Sequence, residues 1–111
     1  MILFAALPVA DYPGALAWYE RFTGRPPDLV PNDTESCWQV AEGGWFYVIE
    51  DAARAGRGLI TLVVEDLDAE LATLGERGIE VGELRTIPGV VRQARVSDPE
   101  GNTIGLGQPL G

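Results

Sequence analysis

The residues of this chain that could do chemistry are few, and two absences narrow them first. The 111 residues contain no histidine, and all eight basic residues are arginine. Without lysine there is no Schiff-base chemistry, and without histidine there is no Ser-His or Cys-His nucleophile pair and no imidazole metal ligand. Glu50, beside Asp51, could accept a proton or face a cation if it points inward. Arg92 and Arg95 have opposite parity on one expected strand, so at most one can reach into a cavity, where it would favour an anionic group. The sequence leaves open which of the two it is, and Arg92 stands among the expected ligand-binding residues. Cys37 is the only thiol; without a basic partner it stays mostly protonated at neutral pH and is expected to be filler. Asp66, Asp68 and Glu70 look like a cation cluster, but at a helix start they complement the helix dipole.

Aromatic residues are the larger resource, with three Trp, three Tyr and three Phe. Trp18, Tyr19 and Phe22 recur at helical spacing and belong to a core. Trp38, Trp45, Phe46 and Tyr47 fall on or beside short strands, where an aromatic can line a cavity mouth or a dimer contact.

The elements that must position these residues follow a repeated order. Ile2–Val9 predicts a strand, and Asp11 predicts the N-cap of a helix that stops at Gly24 before Arg25-Pro26-Pro27. Short strands are expected around Asp28–Val30, Cys37–Val40 and Trp45–Glu50. Leu59–Val64 then predicts a strand, and Asp66 caps a helix ending at Gly78. Strands around Ile79–Leu84, Val90–Val96 and Thr103–Gly107 complete the chain. The last two are joined by Asp98-Pro99-Glu100-Gly101, with Pro and Gly where a type I turn wants them. Val9-Ala10-Asp11 recurs as Val64-Glu65-Asp66 and Gly24 as Gly78. The halves, about 1–53 and 54–111, are thus two tandem βαβββ modules of one α+β domain, expected to form a curved mixed sheet around a cavity.

The strand, the Val-x-Asp, the helix ending in Gly and the late Asp98-Pro99-Glu100-Gly101-Asn102 with Ile104-x-Leu106 together resemble the vicinal oxygen chelate superfamily. It includes glyoxalase I, extradiol dioxygenases and bleomycin-resistance proteins. The resemblance covers nearly the whole chain. It implies metal-ligand positions at Phe4, Leu59, Gly105 and, by the internal shift, Glu50. The first three offer no donor side chain, so neither metal nor any other cofactor is expected. Gly105 and Gly107 leave one face of the last strand without side chains, either as pocket space or as a bulge or close contact.

These observations point to a metal-independent binder of a small, planar or cationic molecule, similar in type to the bleomycin-resistance branch. Its ligand-binding residues are expected to be Phe4, Trp38, Trp45, Tyr47, Glu50, Leu59, Arg92 and Gly105, with no catalytic residue assigned. The alternatives are a metal-free enzyme using an acidic or tyrosine proton acceptor, or a degenerate protein acting through protein contacts. The net charge of −9 disfavours nucleic acid and anionic membrane as partners. The start, Met1 to Asp11, has no basic residue before its apolar run, which with the lone cysteine predicts a cytoplasmic protein. A homodimer is expected, because so small a chain gains burial by pairing.

Overall fold

The computed structural model describes residues 1–111. The first module comprises β1 (Leu3–Val9), α1 (Tyr12–Thr23), β2 (Leu29–Asn32), β3 (Glu35–Ala41) and β4 (Gly44–Glu50). The second repeats the order with β5 (Leu59–Val63), α2 (Leu67–Glu76), β6 (Arg85–Ile87), β7 (Val91–Ser97) and β8 (Thr103–Pro109). Each module forms its own four-stranded mixed sheet, ordered β1-β4-β3-β2 and β5-β8-β7-β6. In each, the first strand pairs in parallel with the last and the other pairs are antiparallel.

Both helices begin and end where the sequence directs. The Asp11 side chain accepts from Gly14 N and the Asp66 side chain from Ala69 N, each filling one of the free donors of a helix start. Gly24 closes α1 in the left-handed conformation at φ 75°, which glycine adopts without a Cβ clash. The expected strand at Ile79–Leu84 forms only at Arg85–Ile87. Ile79 instead serves the end of α2: its N–H donates to Leu74 O and its side chain is buried in the core. That contact holds the start of the segment off the sheet, and a single bond, Gly82 N to Arg95 O, links the rest to β7 before β6 begins.

One core serves both modules. Tyr19 and Phe22 of α1, Trp38 and Phe46 of the first sheet, Leu67 and Leu74 of α2, and Ile104 and Leu106 of the second sheet belong to a single buried cluster. The Asp98–Asn102 turn fastens the modules together. Asn102 Nδ2 donates to Pro8 O (2.8 Å) and the Glu100 carboxylate accepts from Ala10 N and Asp11 N, while within the second module Gly58 N donates to Asn102 Oδ1 (2.6 Å). No helix is long and apolar enough to cross a membrane.

Candidate functional site

Each sheet has one face under its helix and one face open, and the strand registers divide the residues between them. Adjacent strands place directly paired residues on the same side. In the first sheet Leu7, Val9, Trp38, Phe46 and Val48 are buried in the core. The alternate positions Phe4, Ala6, Trp45 and Tyr47 therefore share the open face, through the pairs Phe4↔Trp45 and Ala6↔Tyr47; Cys37, paired with Tyr47, has the same parity but is buried. Phe4 stacks on Trp45 with ring centroids 5.2 Å apart and planes 13° from parallel, and Tyr47 meets Phe4 edge-on at 6.3 Å. Phe4 is 43% exposed even so. The three rings form an aromatic cluster in which Phe4 is exposed while Trp45 and Tyr47 are half-buried.

In the second sheet Ala94, Val96, Ile104 and Leu106 are buried. Leu59, Thr61 and Val63 of β5 pair with Thr103, Gly105 and Gly107 of β8, and these six share the open face. Gln93 pairs with Gly107 and Arg95 with Gly105, which adds both to it. Gly105 and Gly107 are themselves buried, each beside a neighbouring side chain: a Cβ on Gly105 would stand 3.1 Å from Thr61 Oγ1, and one on Gly107 would stand 3.5 Å from Val91 Cγ2.

Of the eight residues expected in the site, five stand on open faces: Phe4, Trp45, Tyr47, Leu59 and Gly105. The other three are corrected by strand parity. Trp38 pairs with Phe46 on the helix side and is wholly buried, stacked on Phe46 and donating from its indole to Arg25 O. Glu50 pairs with Val9 and follows the helix-side parity of Phe46 and Val48, ending as an exposed carboxylate at the strand tip. Arg92 pairs with Gln108 on the α2 side, where its guanidinium lies 2.9 Å from Asp68; that bond and its charge hold the Asp68 carboxyl below the usual range. The arginine of β7 that reaches the open face is Arg95. The sequence held the signal for this, because a hairpin closed at Ser97 and Thr103 sets Arg95 opposite Gly105.

The proton chemistry available on these faces is slight. Burial pushes the Cys37 thiol up, and the nearby Glu35 charge adds to it, so the group stays protonated. Tyr19 is pushed far up by burial and by Asp98, which accepts from its hydroxyl at 2.7 Å. No three His, Cys, Asp or Glu side chains come together at any point. With Phe4, Leu59 and Gly105 lacking donors and Glu50 turned to the other side, the residues at the four positions that the resemblance assigns to a metal do not fit a divalent ion.

A cleft of about 590 Å³ lies in the seam between the modules, running along β5 from Ile60 to Val64 and lined also by Leu3, Ala5, Phe46, Arg25 and Glu70; it takes in Trp45, Thr61 and Val63 of the two open faces. Arg25 is engaged there by Asp28 and by Gln39 O. Gln39 N, donating to Asp28 Oδ2 at 2.8 Å, and Arg25 together hold the Asp28 carboxyl low.

No family model matches the sequence, and no curated protein matches it significantly. Solved structures do. A glyoxalase/bleomycin resistance protein from Catenulispora acidiphila is 41% identical over 97% of both chains, with a TM-score of 0.92. TnmS3, an antibiotic binding protein from Streptomyces sp. CB03234, is 27% identical over 98% of this chain and 95% of its own, with a TM-score of 0.77. A glyoxalase/bleomycin resistance protein from the same Streptomyces is 28% identical over 97% of this chain and all of its own, with a TM-score of 0.73.

Proposed function

The chain belongs to the glyoxalase/bleomycin-resistance family, within the vicinal oxygen chelate superfamily, and on that premise we propose that it is a metal-independent binding protein that sequesters a small planar molecule. The observation that carries this reading is the Phe4–Trp45 stack, its Phe4 ring exposed, with Tyr47 at its edge. A parallel aromatic pair with one ring exposed offers a stacking surface to another ring system, worth about 0.5–1.5 kcal/mol per ring pair beyond area burial. Leu59 and the strand surface at Gly105 would form the facing wall of the cavity, with a second copy of the chain closing it. The likeness to an antibiotic binding protein supports a small-molecule ligand. A binder rather than a catalyst is favoured because the open faces present no pair of groups able to pass a proton, and the one thiol of the chain is held protonated. A protein of this kind would act in the cytoplasm, where Cys37 stays reduced.

The test is a fluorescence titration with planar aromatic probes, beside a thermal-shift series with Zn²⁺, Ni²⁺, Mn²⁺ and Fe²⁺. A bound ring should quench Trp45, and Trp45→Ala should weaken binding by about tenfold, the loss of one good stacking contact. The metals should leave the melting temperature unchanged. Specific stabilisation by one metal, or planar probes that bind equally well without Trp45, would overturn the reading.

A further inference from the structure

The open face of the second sheet carries a charge opposite in sign to that of the whole chain. Acidic residues outnumber basic ones 17 to 8, yet no Asp or Glu stands at an open-face position of β5, β6, β7 or β8. Two arginines do: Arg95 opposite Gly105, and Arg85 opposite Gln93. Both are exposed, and neither enters any of the three ion pairs of the chain. The arginines whose side chains donate hydrogen bonds are Arg25, Arg77 and Arg92, all elsewhere. Glu83, in the segment leading into β6, forms no ion pair with Arg95 either.

The surroundings of Arg95 distinguish it from a solvated surface cation. Its directly paired neighbour is Gly105, so no side chain stands beside it on β8. Across that glycine the Thr61 hydroxyl lies 3.1 Å from where a Cβ would be. Gly105 also occupies the position at which the resemblance places a metal-ligating carboxylate. A carboxylate there would sit directly opposite Arg95 and neutralise it, as opposite charges do across paired strands. Glycine removes the ligand and the neutralising charge together, and with Gly105 itself buried the groups left at the surface around it are the exposed Arg95 and the exposed Thr61. A guanidinium is a planar, permanently charged fork that matches a carboxylate in a bidentate manner.

We infer that the site selects a planar ligand bearing a carboxylate or similarly placed oxyanion, bound by Arg95 with the Thr61 hydroxyl as a second donor, the two residues that flank Gly105. This rests on the binding function proposed above and adds to it the charge of the ligand, which is opposite to the cation that the overall acidity of the chain favours.

Three probes of one shape separate the possibilities: 9-anthracenecarboxylate, its neutral carboxamide, and cationic 9-(aminomethyl)anthracene, titrated by tryptophan quenching. The carboxylate should bind about tenfold more tightly than the amide, the difference expected of a charge-assisted pair over a neutral one. Arg95→Gln should erase that preference, Arg95→Lys should keep part of it, and Arg21→Gln, removing an exposed arginine of α1, should leave it intact. Unchanged circular dichroism secures the fold of each variant. Equal binding of the three probes, preference for the amine, or a preference that survives Arg95→Gln would overturn the inference. If binding in those cases still depends on Trp45, the stacking function stands without it. Failure of all three probes to bind would overturn both.

Discussion

Four hydrogen bonds converge on the Asp98 carboxylate, from Glu100 N, Asn102 N, Asn102 Nδ2 and the Tyr19 hydroxyl, at 2.9, 2.9, 2.7 and 2.7 Å. Every site of that carboxylate is occupied, so the most recognisable residue of the late turn binds the protein to itself and nothing else. The sequence shows Asp98-Pro99-Glu100-Gly101 as a turn, because turn chemistry is local. It cannot show that Asn102 reaches Pro8 or that Glu100 reaches Ala10, since those partners are set by how the modules dock. One consequence is a pH dependence at the alkaline end. Burial, then the Asp98 charge, raises Tyr19 far above the ordinary phenol value. Above about pH 10 the unfolded chain loses that proton while the folded protein keeps it. Stability contributed below that pH is then lost as pH rises, by about 1.4 kcal/mol per pH unit. Tyr19→Phe should flatten the alkaline limb of a urea-denaturation series by one proton. At neutral pH it should cost about 1–2 kcal/mol, for the hydrogen bond lost to Asp98. An alkaline limb of unchanged slope in the variant would show that Tyr19 ionises freely in the folded state.

At the scale of the elements, caps and periodicity were legible while facing was not. Asp11, Gly24 and Asp66 announce their helices through local hydrogen bonding and backbone freedom. The side on which a strand residue emerges depends on one register, and a single step moves every side chain to the other face. Trp38, Glu50 and Arg92 were misplaced for that reason alone, while Arg95 was recoverable from the hairpin that the turn defines. The glycines show the same division between local and tertiary causes. Gly56 holds φ at 78°, and a Cβ there would run into the Glu100 carbonyl of the docked turn. Gly105 has ordinary strand geometry, and its only tight neighbour is the hydroxyl end of an exposed threonine. Gly56→Ala should therefore cost more than the roughly 1–2 kcal/mol of left-handed backbone alone, whereas Gly105→Ala should cost about 1 kcal/mol or less, as Thr61 turns aside. Chemical denaturation of the two variants checks this ordering; a Gly105 variant as unstable as the Gly56 one would mean that Thr61 cannot move.

For the whole molecule, the surface is larger than the chain length requires. A folded monomer of 11.9 kDa should expose about 5,950 Å² by the usual size scaling, and this chain exposes 6576 Å². The excess is understandable from the two open faces, with Leu59 66% and Val63 71% exposed on the second sheet and Phe4 43% on the first. Exposed apolar surface can mark a contact with a partner, and the partner we propose is a second copy, which would bring the same two faces. Light scattering should accordingly give twice the mass of the chain, and Leu59→Asp with Val63→Asp should return it to the monomer. Charge refines the expectation. Each copy carries −9, so two copies repel at long range, and salt screens that repulsion over a distance that shortens from about 10 Å at 0.1 M to about 3 Å at 1 M. The dimer should therefore tighten as ionic strength rises, while capture of a carboxylate by the exposed Arg95 should weaken over the same range. Dimerisation that weakened with salt would mean that the interface is made of ion pairs, and the apolar open faces would then not be what joins the two copies.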